Sequence, residues 1–183
     1  MAGLTLSALY RYPVKSLAGE QFQGLNVEGR GFSFDRHWMV VDAKGKFLTQ
    51  RQQPRMSLIG ASVDSKGALL LRAPGMPDAR FGSQVEDRVA VIVWGDSVQA
   101  APAGPQADAW LSEFLDLPCR LVCFPEDVVR TVDPDFAKAS DQVGFADGFP
   151  FLLISQASLD DLNGRLEQPV PMLRFRPNLV VGG

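Results

Sequence analysis

An α+β fold rich in β-structure is what this sequence predicts, and three features predict it. Apolar residues recur at period two in short runs, turn residues punctuate those runs at close intervals, and only two stretches carry apolar residues at helical spacing. At 183 residues the chain is one large domain or two small ones, long enough to bury a sizeable core.

The chain opens with a strand over residues 4–10, where Leu4, Leu6, Ala8 and Tyr10 share one face in the pattern of a half-buried strand. Pro13, with no amide hydrogen and a fixed φ, ends the ladder and delivers Lys15 and Ser16 onto a loop at the strand mouth. Residues 38–42 form the next strand, and 40–49 read as a hairpin turning near Gly45. Arg51 and Arg55 flank Pro54 on a loop. A second hairpin pairs 58–64 with 68–72; a third pairs 89–94 with 97–101 around Gly95 and Asp96. The first helix spans 105–116. Pro105 suits its first turn, Trp110, Leu111, Phe114 and Leu115 form its apolar stripe, and Pro118 follows its stop. Residues 119–124 return as a strand, so 55–124 is expected to form a small ββαβ subdomain beside the first strands. Residues 125–148 lack periodicity and read as a crossing connection rather than a lid. An apolar run over 149–154 leads into a helix capped by Ser155 or Ser158 and reaching about Leu166, with Leu159, Leu162 and Leu166 as its stripe. Residues 173–183 close the chain as an extended segment.

Composition excludes several function classes. A net charge of −3 supplies no global basic field for nucleic acid or an anionic membrane, so any positive site must be local. No apolar run approaches the roughly 20 residues needed to cross a bilayer, and residues 1–7 lack the blocks of a signal peptide, so a cytoplasmic location is the expectation. Cys119 and Cys123, four positions apart on a strand, are separated by roughly 13 Å, too far for a disulfide, and are expected to pack in the core. Two cysteines are also too few for a Cys-rich zinc or iron–sulfur centre. The single histidine, His37, excludes a multi-histidine metal centre and argues against hydrolase chemistry; it is expected to pack or hydrogen-bond.

The candidate site is cationic. Lys15 and Ser16 at one strand mouth and Arg36 just before a second can converge on a phosphate, although the same residues also read as solvated surface charges. Arg51 and Arg55 divide evenly between those two readings. Ser155 and Ser158 sit where a helix N-terminus could offer amides and hydroxyls to an anion; Asp160 and Asp161 oppose that, and ordinary capping is the stronger reading. Arg174 and Arg176 share a face if their segment is extended, and Asn178 can both donate and accept.

Several separated motifs carry a resemblance. Tyr-Pro-Val-Lys-Ser at 12–16, Asp35–Arg36 before Trp38, and Arg-Gln-Gln-Pro-Arg at 51–55 resemble the N-terminal β-barrel region of the MOSC family, which takes its name from the C-terminal domain of molybdenum cofactor sulfurase. Residues 94–96 and 110–115 resemble its linking part. Phe-Ala-Asp-Gly-Phe-Pro-Phe-Leu-Leu-Ile at 145–154, the 155–163 segment and Arg-Phe-Arg-Pro-Asn at 174–178 resemble the opening of the MOSC domain proper, in the branch of the amidoxime-reducing components and their bacterial iron–sulfur relatives.

The resemblance implies MOSC-type β-barrel strands over 1–124, including the 55–124 subdomain, then a linker and the start of a MOSC domain over 125–183. The barrel is expected to be incomplete because the chain ends at Gly183. It implies a molybdenum cofactor contacted by Lys15, Ser16, Arg36, Ser155, Ser158, Arg176 and Asn178, in enzymes that reduce N-hydroxylated substrates. It also implies a redox partner or iron–sulfur domain outside this chain and, at the level of the whole family only, pyridoxal phosphate binding. The family's metal-ligating cysteine lies beyond the Arg-Pro-Asn segment, and neither Cys119 nor Cys123 has a matching context, so no metal ligand is assigned and retention of the cofactor is left open. Two readings from other classes stand beside the oxidoreductase: a non-enzymatic cofactor or anion carrier, and a structural β-domain whose cations form only salt bridges.

Overall fold

In a computed structural model, which describes residues 3–82 and 87–183, β1 (Thr5–Arg11) lies at the centre of a four-stranded sheet. Its neighbours are β2 (Glu20–Phe22) on one side and β13 (Leu179–Gly182) on the other, with β12 (Leu153–Ser155) at the far edge. The β1–β13 pair is antiparallel and the β12–β13 pair parallel, so the last thirty residues fold back onto the first strand. The strand expected over 4–10 is present, but its apolar face is not covered. Leu4 and Leu6 are 80% and 55% exposed, and a register shift between Leu6 and Ala8 breaks the ladder.

A second four-stranded sheet runs in the order β5 (Trp38–Asp42), β11 (Cys119–Cys123), β10 (Asp96–Pro102) and β9 (Val89–Val93). Successive β5 side chains point to opposite faces. Trp38 and Val40 enter one core cluster while Met39 and Val41 enter another, so this strand is buried on both sides and reads as a continuous apolar run. The larger cluster packs β5 and β11 against α1 (Pro105–Leu115) and against β6 (Gly60–Val63) and β7 (Leu69–Arg72), whose sheet is completed by β8 (Ala79–Phe81). α1 buries the expected stripe, each large side chain contributing roughly 2 kcal/mol. Asp108 fixes the helix to its sheet by accepting a 2.8 Å hydrogen bond from the Leu121 amide. A short ladder of β3 (Val27–Glu28) and β4 (Gly31–Phe32) completes the β-structure.

Among the described residues the named strands form four sheets, and residues 46–47 bridge both edges of the second one, to Val41 in β5 and to Ile92 in β9. The segment 55–124 supplies three strands to a sheet whose fourth, β5, precedes it, because β11 pairs with β5 residue for residue from Cys119↔Asp42 to Cys123↔Trp38. The return arm of the hairpin expected over 40–49 is present as isolated bridges, Val41↔Phe47 to β5 and Lys46↔Ile92 to β9, with the Leu48 amide donating to the Val40 carbonyl at 2.9 Å. The second helix, α2 (Gln156–Asn163), stops short of Leu166, and of its expected stripe only Leu159 is fully buried. The closing segment is not extended throughout. Met172–Arg174 is a 3₁₀ turn and Arg176 has φ +56°, so alternation does not place Arg174 and Arg176 on a strand face. No helix among the described residues is long and apolar enough to cross a membrane.

Candidate functional site

A cavity of about 530 Å³ is built by the connections that flank the strands, lined in part by Lys15, Ser16, Arg36, Arg176 and Asn178. Arg51 and Arg174 also reach it, giving, among the described residues, five cationic side chains against a single carboxylate, Asp147, in a chain whose net charge is −3. Arg55 does not line it; its guanidinium lies 4.6 Å over the Phe114 ring. Four of the six non-glycine residues with positive φ among those described (Ser16, Arg36, Trp94 and Arg176) line this cavity, and backbone strain of that kind concentrates where surrounding structure holds it for function.

The arginine pair is built on Tyr12. Pro13 ends β1, and the Tyr12 carbonyl accepts from the Arg36 amide at 2.7 Å, bringing the two strand mouths together. The guanidinium carbons of Arg36 and Arg176 lie 4.4 and 4.3 Å from the centroid of the Tyr12 ring. Gly19 approaches that ring so closely that a Cβ would be driven into it and would lie 2.8 Å from the Arg11 carbonyl oxygen. Burial pushes the Tyr12 phenol up to about 12, and its hydroxyl has no hydrogen-bond partner.

Arg36 Nη1 donates to Asn178 Oδ1 at 2.8 Å and pairs with Asp35, while Nη2 donates to the Arg176 carbonyl at 3.0 Å. Asn178, only 1% exposed, also accepts from the Leu152 amide at 3.2 Å and donates to the Tyr10 carbonyl at 3.2 Å. Its amide thus joins β1, the 152 backbone and Arg36. Arg176 Nη1 donates to the Leu17 carbonyl, but Nη2 is buried with no partner. Burial, and then repulsion from Arg36, bring the Arg176 guanidinium down to about 10.

Lys15, 5% exposed, donates to the Phe145 carbonyl at 2.9 Å and to Asp147 Oδ1, and lies 5.2 Å over the Phe47 ring. Burial lowers its pKa, which Asp147 partly opposes. Burial pulls the Asp147 carboxyl upward, but the Lys15 charge and hydrogen bonds from Lys15 and Trp94 outweigh this and hold it below its ordinary range.

Sequence reasoning missed Asp147, Trp94 and Arg130. The 125–148 segment carries no helix or strand, yet its end supplies both Lys15 contacts. Arg130, buried within it, holds that end: Nη1 donates to the Gly144 and Ala146 carbonyls at 2.9 and 2.7 Å, Nη2 to the Asp147 carbonyl at 3.1 Å, and Nε to Asp96 at 2.6 Å. No periodicity or motif signals an arginine that works on backbone carbonyls.

Ser155 and Ser158 fall outside the cavity lining. Ser155 caps α2 by accepting from the Ser158 amide at 3.0 Å, and the two hydroxyls share a 2.7 Å hydrogen bond. Cys119 and Cys123 are free, buried in the larger core cluster and also away from the cavity, and burial pushes both thiols up. His37 packs edge-on against Trp38 with ring centroids 4.6 Å apart, and burial, with the nearby Arg30 charge, takes its imidazole down to about 4. No group of three or more His, Cys, Asp or Glu side chains suited to a metal occurs among the described residues.

A β-rich fold with a cation-lined cavity walled by Phe47, Trp94 and Phe175 defines a site suited to a flat, anionic small molecule. The chain belongs to the MOSC family: the MOSC N-terminal beta barrel domain matches residues 3–118 and the MOSC domain residues 140–183. It is 34% identical to the mitochondrial amidoxime-reducing component 1 of Xenopus laevis over 97% of this chain and 55% of that protein. Against the Homo sapiens component 1 it is 35% identical over 98% of this chain and 56% of the other. It is 28% identical to the molybdenum cofactor sulfurase of Oryza sativa subsp. japonica, over 100% of this chain and 25% of that protein. The chain thus spans about half the length of the amidoxime-reducing components it matches. These matches give no support to pyridoxal phosphate binding by this chain, and that expectation is dropped.

Proposed function

We propose that this chain holds the phosphate and pterin portion of the molybdenum cofactor in its cation-lined cavity, as part of a MOSC-family oxidoreductase that acts on N-hydroxylated substrates. The observation that carries this reading is Arg176, which lines the cation-lined cavity and whose Nη2 is buried with no partner among the described residues. An orphaned buried donor costs about 1–3 kcal/mol, a penalty that an anionic ligand removes. Arg176 and Arg36 hold the phosphate, with Lys15 and the Ser16 hydroxyl beside them. Phe47, Trp94 and Phe175 offer faces to the ring system and shed water from it. Asn178 acts through Arg36, fixing the guanidinium by its 2.8 Å hydrogen bond. The bound cofactor would supply two-electron redox chemistry at its metal. A separate redox partner or iron–sulfur domain supplies the electrons.

A second reading, a non-enzymatic carrier of the cofactor, is favoured by the placement of both cysteines in the core, which leaves the cavity residues suited to the organic part alone. The test is to purify the chain from a host that makes the cofactor and to quantify released pterin by fluorescence and molybdenum by mass spectrometry. Arg36→Met and Arg176→Met are each expected to lower pterin content at least about tenfold; equal content in all three proteins would overturn the proposal. Bound pterin without reduction of an amidoxime by a chemical electron donor selects the carrier.

A further inference from the structure

Among the described residues the cavity is lined by one carboxylate, and it is paired with the cation that an incoming anion would seek. Asp147 accepts hydrogen bonds from Lys15 Nζ and, at 3.1 Å, from Trp94 Nε1. The two partners differ in freedom: the Lys15 side chain is 7% exposed, whereas that of Asp147 is 75% exposed. Lys15 is anchored by its second bond to the Phe145 carbonyl. The Asp147 backbone is fixed as well, because Arg130 donates to the carbonyls of Gly144, Ala146 and Asp147. The carboxylate can rotate into solvent, but its loop keeps it at the cavity mouth.

We infer that Asp147 is a specificity-determining residue, an internal counter-ion that makes the site reject small inorganic anions in favour of a phosphate carried on a flat ring. The inference rests on the anion-binding reading of the cavity given above. A free phosphate that engages Lys15 must displace the Asp147 oxygen, break the Trp94 bond and then lie near an unpaired carboxylate, with like-charge repulsion in a partly dry site. Contacts to the cations alone do not offset that loss. A phosphate monoester of a planar heterocycle gains the faces of Phe47 and Phe175 in addition, and reaches Arg176 Nη2 at the same time. The carboxylate thus sets a threshold that only the composite ligand crosses.

The experiment compares two probes, inorganic phosphate and 6-hydroxymethylpterin phosphate, on the full chain, by calorimetry and by pterin fluorescence. The variants are Asp147→Asn, which keeps shape and removes charge, and Trp94→Phe, which keeps an aromatic wall and removes the indole donor. The wild type is expected to prefer the pterin phosphate at least about 100-fold. Asp147→Asn narrows that ratio about tenfold by tightening phosphate, and Trp94→Phe narrows it about threefold; if the asparagine variant does not fold, Trp94→Phe decides. Pterin phosphate bound with the ratio unchanged in the folded variants overturns this inference alone. Binding of neither probe to any of the proteins overturns the reading of the cavity and this inference with it.

Discussion

Arg36 and Asn178, 142 positions apart in sequence, meet through a 2.8 Å hydrogen bond from the guanidinium Nη1 to the amide Oδ1. The same amide ties the Leu152 amide to the Tyr10 carbonyl, so one buried side chain joins the opening strand, the returning backbone and the site cation. Asn178→Ala strips partners from three buried or half-buried groups. The expected cost is about 3 kcal/mol, or a fall of roughly 6–12 °C in melting temperature for a chain of this size, read by a thermal melt.

Arg130 works through geometry that lysine cannot copy. A guanidinium reaches three loop carbonyls and Asp96 at once, whereas an ammonium reaches only some of them. Arg130→Lys is expected to cost about 2 kcal/mol in urea denaturation. It should also weaken pterin phosphate binding about fivefold, because the loop carrying both Lys15 contacts loosens. Unchanged binding with lowered stability would assign Arg130 to the fold alone.

Gly19 is required for its lack of a side chain. Gly19→Ala drives a methyl group into the rigid Tyr12 ring, on which Arg36 and Arg176 both rest. A cost of about 2 kcal/mol is expected for this overpacking, with ligand affinity falling alongside stability.

His37 gives a pH dependence whose sign follows from linkage. Its folded pKa, about 4, lies below the ordinary 6.5, so the unfolded chain binds the proton more tightly. This contribution to stability is constant above about pH 6.5, falls as pH drops towards 4, and amounts to a loss of about 2 kcal/mol at pH 5. His37→Gln is expected to flatten that part of the urea-stability profile. Because His37 is the only histidine, its imidazole proton resonance reports the titration without ambiguity.

Cys119 and Cys123 are expected to be inert in the folded protein. Both thiols are buried and shifted up, so Ellman's reagent should label neither at neutral pH and both once the chain is denatured.

Much of the fold was legible in the sequence where local pattern decided it. The stripe of Trp110, Leu111, Phe114 and Leu115 gave α1, and the valine-rich runs around Gly95 gave the β9–β10 hairpin, because neighbours in sequence settle both. Pro13 ending β1 before Lys15 and Ser16 was equally local, and residue type marked Arg36 and Arg176 as cations.

Long-range pairing decided the rest. Whether Leu4 and Leu6 are covered depends on what packs over β1, which their alternation does not encode. The partners of Asn178, Tyr10, Arg36 and Leu152, exist only after β13 returns to β1. Arg130 and Asp147 lie in a stretch without periodicity, ordered by hydrogen bonds to backbone carbonyls that every residue possesses, and so leave no mark in residue type. The sequence by itself determined the chemistry of the cations and the periods of the elements. Only the tertiary structure decided which cation keeps a free donor and which is held by a carboxylate, since that depends on groups brought together from more than a hundred residues apart.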